Sequence, residues 1–296
     1  MTLTRQALSN TLTFSQALAA AQTLGLDRLD AQLLLLHALD RPHSDRGWLL
    51  AHDGDTLPEE ASSRFRQLSL RRAAGEPLAY LVGSKEFFGL QLQVDARVLV
   101  PRPDTETLVD WALETLSLPG MSTDARVLDL GTGSGAIALA VKKTRPALDV
   151  TAVDASTDAL AVARANASRF GLVIHFIEGS WCENVSEHFH LIVSNPPYVA
   201  DGDSHLSALT HEPLSALTAG PDGLDDLRTI VDQAPAHLLT QAWLLLEHGY
   251  DQAAAVRELL VQRGFADVQS RADLAGIHRC SGGRLPDAGS AQQTAG

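Results

Sequence analysis

The spacing of apolar residues is helical over the first part of the chain. Up to about residue 80, apolar positions recur with the period of an amphipathic helix. Ser15 and Asp27 stand where side chains cap the first turn of a helix. Pro58 is followed by two acids, as at the start of a helix that would run to Gly75. We predict a small helical domain over residues 1–78, suited to recognition or support.

The period changes to two over residues 79–103. Leu92 and Val94 alternate with two glutamines, which is typical of a strand with one buried face. An apolar run before Gly89 supplies a partner for this strand. We therefore predict a β-hairpin linker over residues 79–103, and we expect prolines to end it.

From residue 104 onward, short strands of the buried type alternate with helices. We expect Asp104 to cap the first helix, through Leu116, and a later helix to cover 224–239. Strands are predicted at 127–130, 150–153, 173–177, 191–194 and 243–246, and near 265–269 and 277–280. This alternation predicts an α/β domain over residues 104–280, with helices on both faces of a mostly parallel sheet. Residues 281–296 are rich in Gly, Ser, Ala and Gln, and we expect a disordered tail.

Composition restricts the classes of function. The chain has 296 residues, enough for one large and one small domain, and its net charge of −13 argues against a broad phosphate-binding surface. Cys182 and Cys280 are too few for a disulfide framework. The N-terminus lacks the apolar core of a signal peptide, and the apolar run 31–39 is too short to span a bilayer. We expect a cytoplasmic protein that does not bind nucleic acid or membranes.

A glycine-rich turn follows the first strand of the α/β domain. The turn covers Gly131–Gly135, and glycine lets a ligand approach the backbone closely. Asp154 ends the next strand, at the spacing of an acceptor for ribose hydroxyls. The turn also fits the relaxed dinucleotide fingerprint G-x-G-x-x-A. These residues predict an adenosine cofactor but do not choose between a nicotinamide cofactor and S-adenosylmethionine.

The sequence Asn-Pro-Pro-Tyr, Asn195–Tyr198, follows a short buried strand. Prolines lack an N–H and restrict the residue before them, so ladder pairing should stop there and Asn195 should stay extended. Its carboxamide and a free backbone carbonyl would then lie at the carboxyl end of the strand. These groups can accept the N–H groups of a planar amide or amine, and the Tyr198 ring offers a face for stacking.

Two other side chains have a structural and a functional interpretation. Asp129, just before the glycine turn, can receive the amino group of a methionine moiety or can be a satisfied acid at a helix entrance. Trp181, after the third strand, can lie along an adenine ring or pack in the core. No His, Cys and Asp cluster has the spacing of a metal site, so we predict none.

Together these residues resemble class I S-adenosylmethionine-dependent methyltransferases that act on a planar nitrogen. The matching segments are 127–140, 153–154 and 194–198. The segment 99–106, which contains Pro-Arg-Pro-Asp-Thr-Glu, makes the chain most similar to the bacterial peptide chain release factor N5-glutamine methyltransferases, the PrmC/HemK family. Segments 244–249 and 211–214 also fit. The Asn-Pro-Pro-Tyr sequence alone is shared with DNA adenine methyltransferases and a ribosomal-protein glutamine methyltransferase.

The resemblance implies a Rossmann-like, mostly parallel seven-stranded sheet and methyl transfer from S-adenosylmethionine to the N5 amide of a glutamine. The implied substrate is the GGQ motif of release factors, which act in translation termination. The candidate donor-binding residues are Asp129, Gly131, Thr132, Gly133, Ser134, Gly135, Asp154, Trp181 and Asn195. Candidate substrate contacts are Asn195, Pro196, Pro197 and Tyr198, with Asn195, Pro196 and Tyr198 as catalytic residues. Ser180 departs from the family, which usually has an acid there to contact the adenine amine.

Other classes of function explain less of the sequence. A glutamine methyltransferase of a ribosomal protein would use the same Asn-Pro-Pro-Tyr sequence. An adenine-N6 nucleic-acid methyltransferase must extrude its base and grip the strand, for which the acidic balance is unsuited. A nicotinamide oxidoreductase leaves Asn-Pro-Pro-Tyr unexplained, and a non-catalytic adaptor would not bind a methyl donor.

Overall fold

The computed structural model describes residues 12–287, and the chain divides into two compact units between Gly83 and Ser84. Each unit encloses apolar clusters of its own. Every helix within residues 12–287 is too short or too polar to traverse a lipid bilayer.

The first unit is helical. Its helices are α1 Phe14–Thr23, α2 Arg28–Ala38, α3 Arg46–Ala51, α4 Glu59–Ala73 and α5 Leu78–Val82. Asp27 caps α2 as predicted, because its carboxylate accepts the Asp30 N–H at 2.8 Å. The prediction for α1 is wrong: Thr13, not Ser15, caps it, because Thr13 and Gln16 each bond the other's backbone N–H. Helices α3 and α5 were not predicted, since one or two turns are too short to establish a period.

The second unit begins with the predicted hairpin. Strands β1 Ser84–Phe87 and β2 Leu90–Gln93 pair antiparallel. The expected cap at Asp104 is wrong. A 3₁₀ turn at Pro103–Thr105 leads into α6 Glu106–Thr115, so Thr105 takes the N-cap position.

The rest of the second unit is a seven-stranded sheet, as the resemblance implied. The strands are β3 Arg126–Leu130, β4 Asp149–Asp154, β5 His175–Glu178, β6 Phe189–Ser194, β7 Leu238–Glu247, β8 Ala266–Ala272 and β9 His278–Arg284. Their spatial order is β5-β4-β3-β6-β7-β9-β8, and β9 runs in the direction opposite to the other six strands. The helices between and beside them are α7 Ala136–Thr144, α8 Thr157–Phe170, α9 Asp225–Gln233 and α10 Ala253–Gln262.

The core lies on both faces of this sheet. Leu191 and Ile192, successive residues of β6, are fully buried in different apolar clusters because side chains alternate across a strand. Helix α9 is shorter than predicted. It ends at Gln233 because the next residues form a 3₁₀ turn that contains Pro235, which has no N–H to continue the helix.

The expected disorder from Ser281 is wrong as far as Arg284, because β9 continues through that residue. A Cβ at Gly282 would lie 2.6 Å from the Leu244 carbonyl oxygen. Glycine at position 282 therefore allows close packing between strands. Composition alone cannot distinguish a glycine in such a strand from a glycine in a flexible tail. Residues 288–296 of the predicted tail lie outside the described residues.

Candidate active site

A cavity of about 330 Å³ lies at the carboxyl ends of β3, β4, β5 and β6. The chain leaves β3 toward β4 and β5 and then returns to the other side of β3 as β6. Ligands of open α/β sheets bind in the crevice at such a switch in strand order. The lining residues at or just after these strand ends include Gly131, Gly133, Asp154, Gly179, Ser180, Trp181, Asn195 and Pro197.

The glycine turn has a backbone that other residues rarely adopt. The φ angles of Gly131, Gly133 and Gly135 are +71°, +56° and +84°. A Cβ at Gly131 would lie 3.3 Å from a ring carbon of Trp181. The Gly131 N–H also donates to the Val153 carbonyl at 2.9 Å, which holds the turn against β4. The turn therefore forms an open wall of the cavity with exposed backbone.

Asp154 ends β4 and lines the cavity. Its two carboxylate oxygens accept the N–H groups of Gly133 at 2.8 Å and Ser156 at 2.9 Å. Burial raises the pKa of Asp154, and the two backbone hydrogen bonds oppose that shift. A carboxylate oxygen can accept more than one hydrogen bond, so Asp154 can also accept from ligand hydroxyls.

Asp129 lies beneath the glycine turn and does not line the cavity. Its Oδ2 accepts from the Thr132 hydroxyl at 2.6 Å and from the Ala138 N–H at 3.2 Å. Its Oδ1 has no hydrogen-bond partner within residues 12–287. Burial raises the pKa of Asp129 to about 7. This position favours the interpretation as an acid at the helix entrance, where it braces the turn, over a direct contact with a methionine amino group.

Trp181 lines the cavity and packs against an apolar cluster, so the structure combines its two predicted environments. Asp226 of α9 also lines the cavity. Burial raises the pKa of Asp226, and the Trp181 side chain lowers it. Sequence reasoning missed Asp226, because no motif connects α9 to the glycine turn.

The Asn-Pro-Pro-Tyr segment is divided between the cavity and the core. Asn195 and Pro197 line the cavity, whereas Pro196 is buried and does not. Tyr198 also does not line the cavity. Its ring packs against an apolar cluster, and its hydroxyl donates to Glu247 at 3.4 Å. The structure thus brings Asn195 and Pro197 together with the glycine turn, while Tyr198 lies behind them.

Two buried groups behind Asn195 were missed as site residues. The Asn195 side-chain Nδ2 donates to the Thr105 hydroxyl at 3.1 Å. The Glu247 carboxylate accepts the Tyr198 hydroxyl at 3.4 Å, and its pKa is raised by burial and lowered by the Thr105 side chain. Both residues fall in segments that carry the family resemblance, 99–106 and 244–249, which is the signal that could have identified them.

Two loops complete the opposite wall of the cavity. One supplies Arg97, Val98 and Leu99, and the other supplies Pro213, Ser215 and Ala216. Glu212 joins them, because its carboxylate accepts the Val100 N–H at 3.0 Å and an Arg102 guanidinium N–H at 2.5 Å. Its side chain is only 3% exposed. The buried Glu212 therefore holds the two loops together beside the cavity.

Both units match known protein families. Residues 12–83 match the PrmC N-terminal domain, and residues 108–218 match the methyltransferase small domain. A Bordetella pertussis protein named release factor glutamine methyltransferase is 49% identical over 265 residues, which cover 88% of this chain and 96% of that protein. A protein of the same name from Xylella fastidiosa is 48% identical over 274 residues, which cover 91% and 98% of the two chains.

The fold also has a solved counterpart. The 16S rRNA N2 G1207 methyltransferase of T. thermophilus, solved with AdoMet and guanosine, matches 68% of this chain and 49% of its own. The TM-score is 0.50 at 18% identity, so the likeness concerns the fold alone.

Proposed function

The chain belongs to the release factor glutamine methyltransferases, and from this premise we propose that it methylates the side-chain N5 amide of a glutamine in a peptide chain release factor. One observation carries the proposal to particular residues. Asn195, an acceptor for a flat NH₂ group, borders the same cavity as the glycine turn and Asp154. A donor of the methyl group and an amide nitrogen can therefore meet in one place.

The residues of the cavity fit S-adenosylmethionine as the methyl donor. The cavity volume of about 330 Å³ lies in the range of ligand sites, and a Cβ at Gly133 would stand in open space. We assign Asp154 to the ribose hydroxyls and Trp181 to the adenine ring, because both side chains line the cavity. When bound, this donor supplies an electrophilic methyl group on a sulfonium.

We assign the Asn195 carboxamide as one acceptor of the substrate amide and the Pro196 carbonyl as the other, although Pro196 is buried and does not itself line the cavity. Within residues 12–287 the Pro196 carbonyl accepts no hydrogen bond, and Asn195 uses its NH₂ on Thr105. Two oxygens are then free to accept the two N–H groups of a glutamine amide. An amide nitrogen is a poor nucleophile because its lone pair is delocalised, so positioning supplies much of the rate. The nitrogen gains positive charge as the bond forms, and both acceptors then bind it more tightly.

The remaining assignments concern the partner and the place of action. We assign recognition of the release factor, a protein substrate, to the helical unit, and we assign the protein to the cytoplasm, where release factors act. We assign Tyr198 to the support of the Asn195 segment, because its hydroxyl donates to the buried Glu247. That its ring packs against the substrate amide stays a prediction.

The test compares Asn195→Ala with the wild type, using a release factor and labelled S-adenosylmethionine. We expect turnover to be abolished while the donor affinity, measured by calorimetry, is only partly weakened. Asn184→Ala is the matched control, because Asn184 is exposed and does not line the cavity. Normal methylation by Asn195→Ala would contradict the proposal. Label incorporated into nucleic acid or a ribosomal protein, but not into a release factor, would also contradict it.

A further inference from the structure

The side chain of Gln252 lies where three loops of the α/β unit meet. Gln252 stands at the N-cap of α10 and is half-buried. Its Nε2 donates to the Tyr198 carbonyl at 3.0 Å. The same NH₂ group is shared with the carbonyls of Asp222 at 3.2 Å and Gly223 at 3.3 Å. One carboxamide therefore joins the end of the Asn-Pro-Pro-Tyr segment to the loop that precedes α9.

A backbone donor fixes the orientation of this carboxamide. The Gly249 N–H donates to the Gln252 Oε1 at 2.7 Å. Since a carboxamide has one accepting side and one donating side, this bond directs the NH₂ group toward the Tyr198 carbonyl. The Gly249 carbonyl in turn accepts the backbone N–H of Gln252 at 3.1 Å and the ring Nδ1–H of the buried His248 at 2.9 Å. The loop between β7 and α10 thus holds Gln252 in one orientation.

Gly223 allows the loop before α9 to approach Tyr198 closely. The φ angle of Gly223 is +72°, a conformation that favours glycine. A Cβ at this position would overlap the Tyr198 carbonyl oxygen and would lie 2.9 Å from the Gln252 Nε2. The absence of a side chain at position 223 therefore leaves room for the hydrogen bond between Gln252 and Tyr198.

The Asn-Pro-Pro-Tyr segment is held at both ends. Thr105 accepts from the Asn195 side chain at 3.1 Å, and Gln252 donates to the Tyr198 carbonyl. The Tyr198 N–H donates to the Leu217 carbonyl at 3.2 Å. The two prolines between these ends have a fixed φ and restrict the residues before them, so the segment is stiff. A displacement of Tyr198 is therefore passed on to the cavity end of the segment.

We propose that Gln252 is a positioning residue that holds the Tyr198 carbonyl and thereby fixes the Asn-Pro-Pro-Tyr segment. The Asn195 and Pro196 oxygens, which we assign to the substrate amide, keep their place because the segment is held. Gln252 does not line the cavity, so it acts through the segment and not on the methyl donor. This inference rests on the proposed function.

The first test measures kcat with a release factor and S-adenosylmethionine. Gln252→Met keeps the length of the side chain but donates no hydrogen bond. Its kcat should fall by up to about 10²-fold, the cost of misplacing a reacting group by about 1 Å, while the affinity for S-adenosylmethionine stays that of the wild type. Gln262→Met is the matched control, because Gln262 is exposed at the other end of α10 and donates to Glu258. It should keep the wild-type kcat.

Gln252→Glu separates the bond to Tyr198 from the bond to Gly249. At about pH 9 a carboxyl group is ionised, so this variant still accepts the Gly249 N–H but cannot donate to the Tyr198 carbonyl. Its kcat should fall at least as far as that of Gln252→Met. Wild-type kcat in Gln252→Glu at this pH would overturn the inference.

The carbonyl of Tyr198 reports its hydrogen bond without turnover. Carbon-13 at the tyrosine carbonyls gives three signals, because the chain has three tyrosines. The Tyr198 signal, identified by its loss in Tyr198→Phe, should shift in Gln252→Met and stay in place in Gln262→Met. An unchanged Tyr198 signal in Gln252→Met would overturn the inference.

The thermal midpoint of unfolding shows which variants are folded. Wild-type kcat in folded Gln252→Met would overturn the inference, and so would an affinity for S-adenosylmethionine that falls as far as kcat. If Gln252→Met fails to fold, Gly223→Ala decides, because its Cβ presses on the same carbonyl. Its kcat should fall with donor affinity retained, and wild-type kcat would contradict the inference. Absence of methylation by the wild type would instead refute the proposed function.

Discussion

Replacement of Asp154 by asparagine tests how the cavity would bind S-adenosylmethionine. Both oxygens of Asp154 accept backbone N–H groups, at 2.8 and 2.9 Å. In Asp154→Asn one oxygen becomes an NH₂ group, which must face one of these N–H groups as donor against donor. The variant also loses the charge that strengthens hydrogen bonds to ribose hydroxyls. Hydrogen bonds to charged groups are worth about 1.5–3 kcal/mol, so the affinity for S-adenosylmethionine should fall roughly 10- to 150-fold.

The assay is isothermal titration of S-adenosylmethionine into each variant, with the thermal midpoint of unfolding measured in parallel. Asp158→Asn is the control, because Asp158 is an exposed acid on the next helix that does not line the cavity. Its donor affinity should match that of the wild type. Equal donor affinity in Asp154→Asn and Asp158→Asn, with both proteins folded, would refute the assignment of Asp154 to the donor.

Three further predictions follow from buried groups elsewhere in the α/β unit. Glu212→Gln should weaken donor binding measured by calorimetry, because it removes the charge that joins two loops of the cavity wall; unchanged affinity would contradict this. Gly282→Ala should lower the free energy of unfolding by about 1–3 kcal/mol in urea titrations, whereas Gly47→Ala, with open space around it, should not. The folded chain holds the Asp129 proton to about pH 7, but an unfolded chain releases it near pH 4. Between those values the native state binds more protons, so stability from this group is lost as the pH rises, by up to about 1.4 kcal/mol per unit. The wild type should therefore lose more stability than Asp129→Asn over this window, and parallel curves would be the contrary result.

The fold could be predicted from the sequence where the local backbone requirements of the residues match the way in which they pack. The glycine turn and the Asn-Pro-Pro-Tyr sequence each carry a backbone requirement that can be recognised without coordinates, and the acid that ends β4 is recognised by its spacing from the turn. The late glycines were misinterpreted because composition treats them as linker residues. Gly282 instead lies where a Cβ would contact the neighbouring strand, and such contacts appear only when strand order is known.

The site was predicted less completely than the fold. Gly131, Asp154 and Asn195 were identified because each lies at the end of a strand or directly after it, and the carboxyl ends of parallel strands lie at the same edge of a sheet. Thr105 and Glu247 lie 90 and 52 positions from Asn195 in opposite directions along the chain, and no spacing rule relates them. Only the sheet order, which places β7 beside β6, brings Glu247 behind the Asn-Pro-Pro-Tyr segment.

The central claim is that the methyl group is transferred to an amide nitrogen of glutamine. The most direct measurement is acid hydrolysis of a release factor that the wild-type enzyme has labelled with methyl-labelled S-adenosylmethionine. Hydrolysis cleaves the bond between the amide carbonyl and its nitrogen, so a methyl group on that nitrogen leaves as labelled methylamine. We predict that the label is recovered as methylamine and that Asn195→Ala yields none. Label that stays on an amino acid after hydrolysis, or leaves as methanol, would contradict the account.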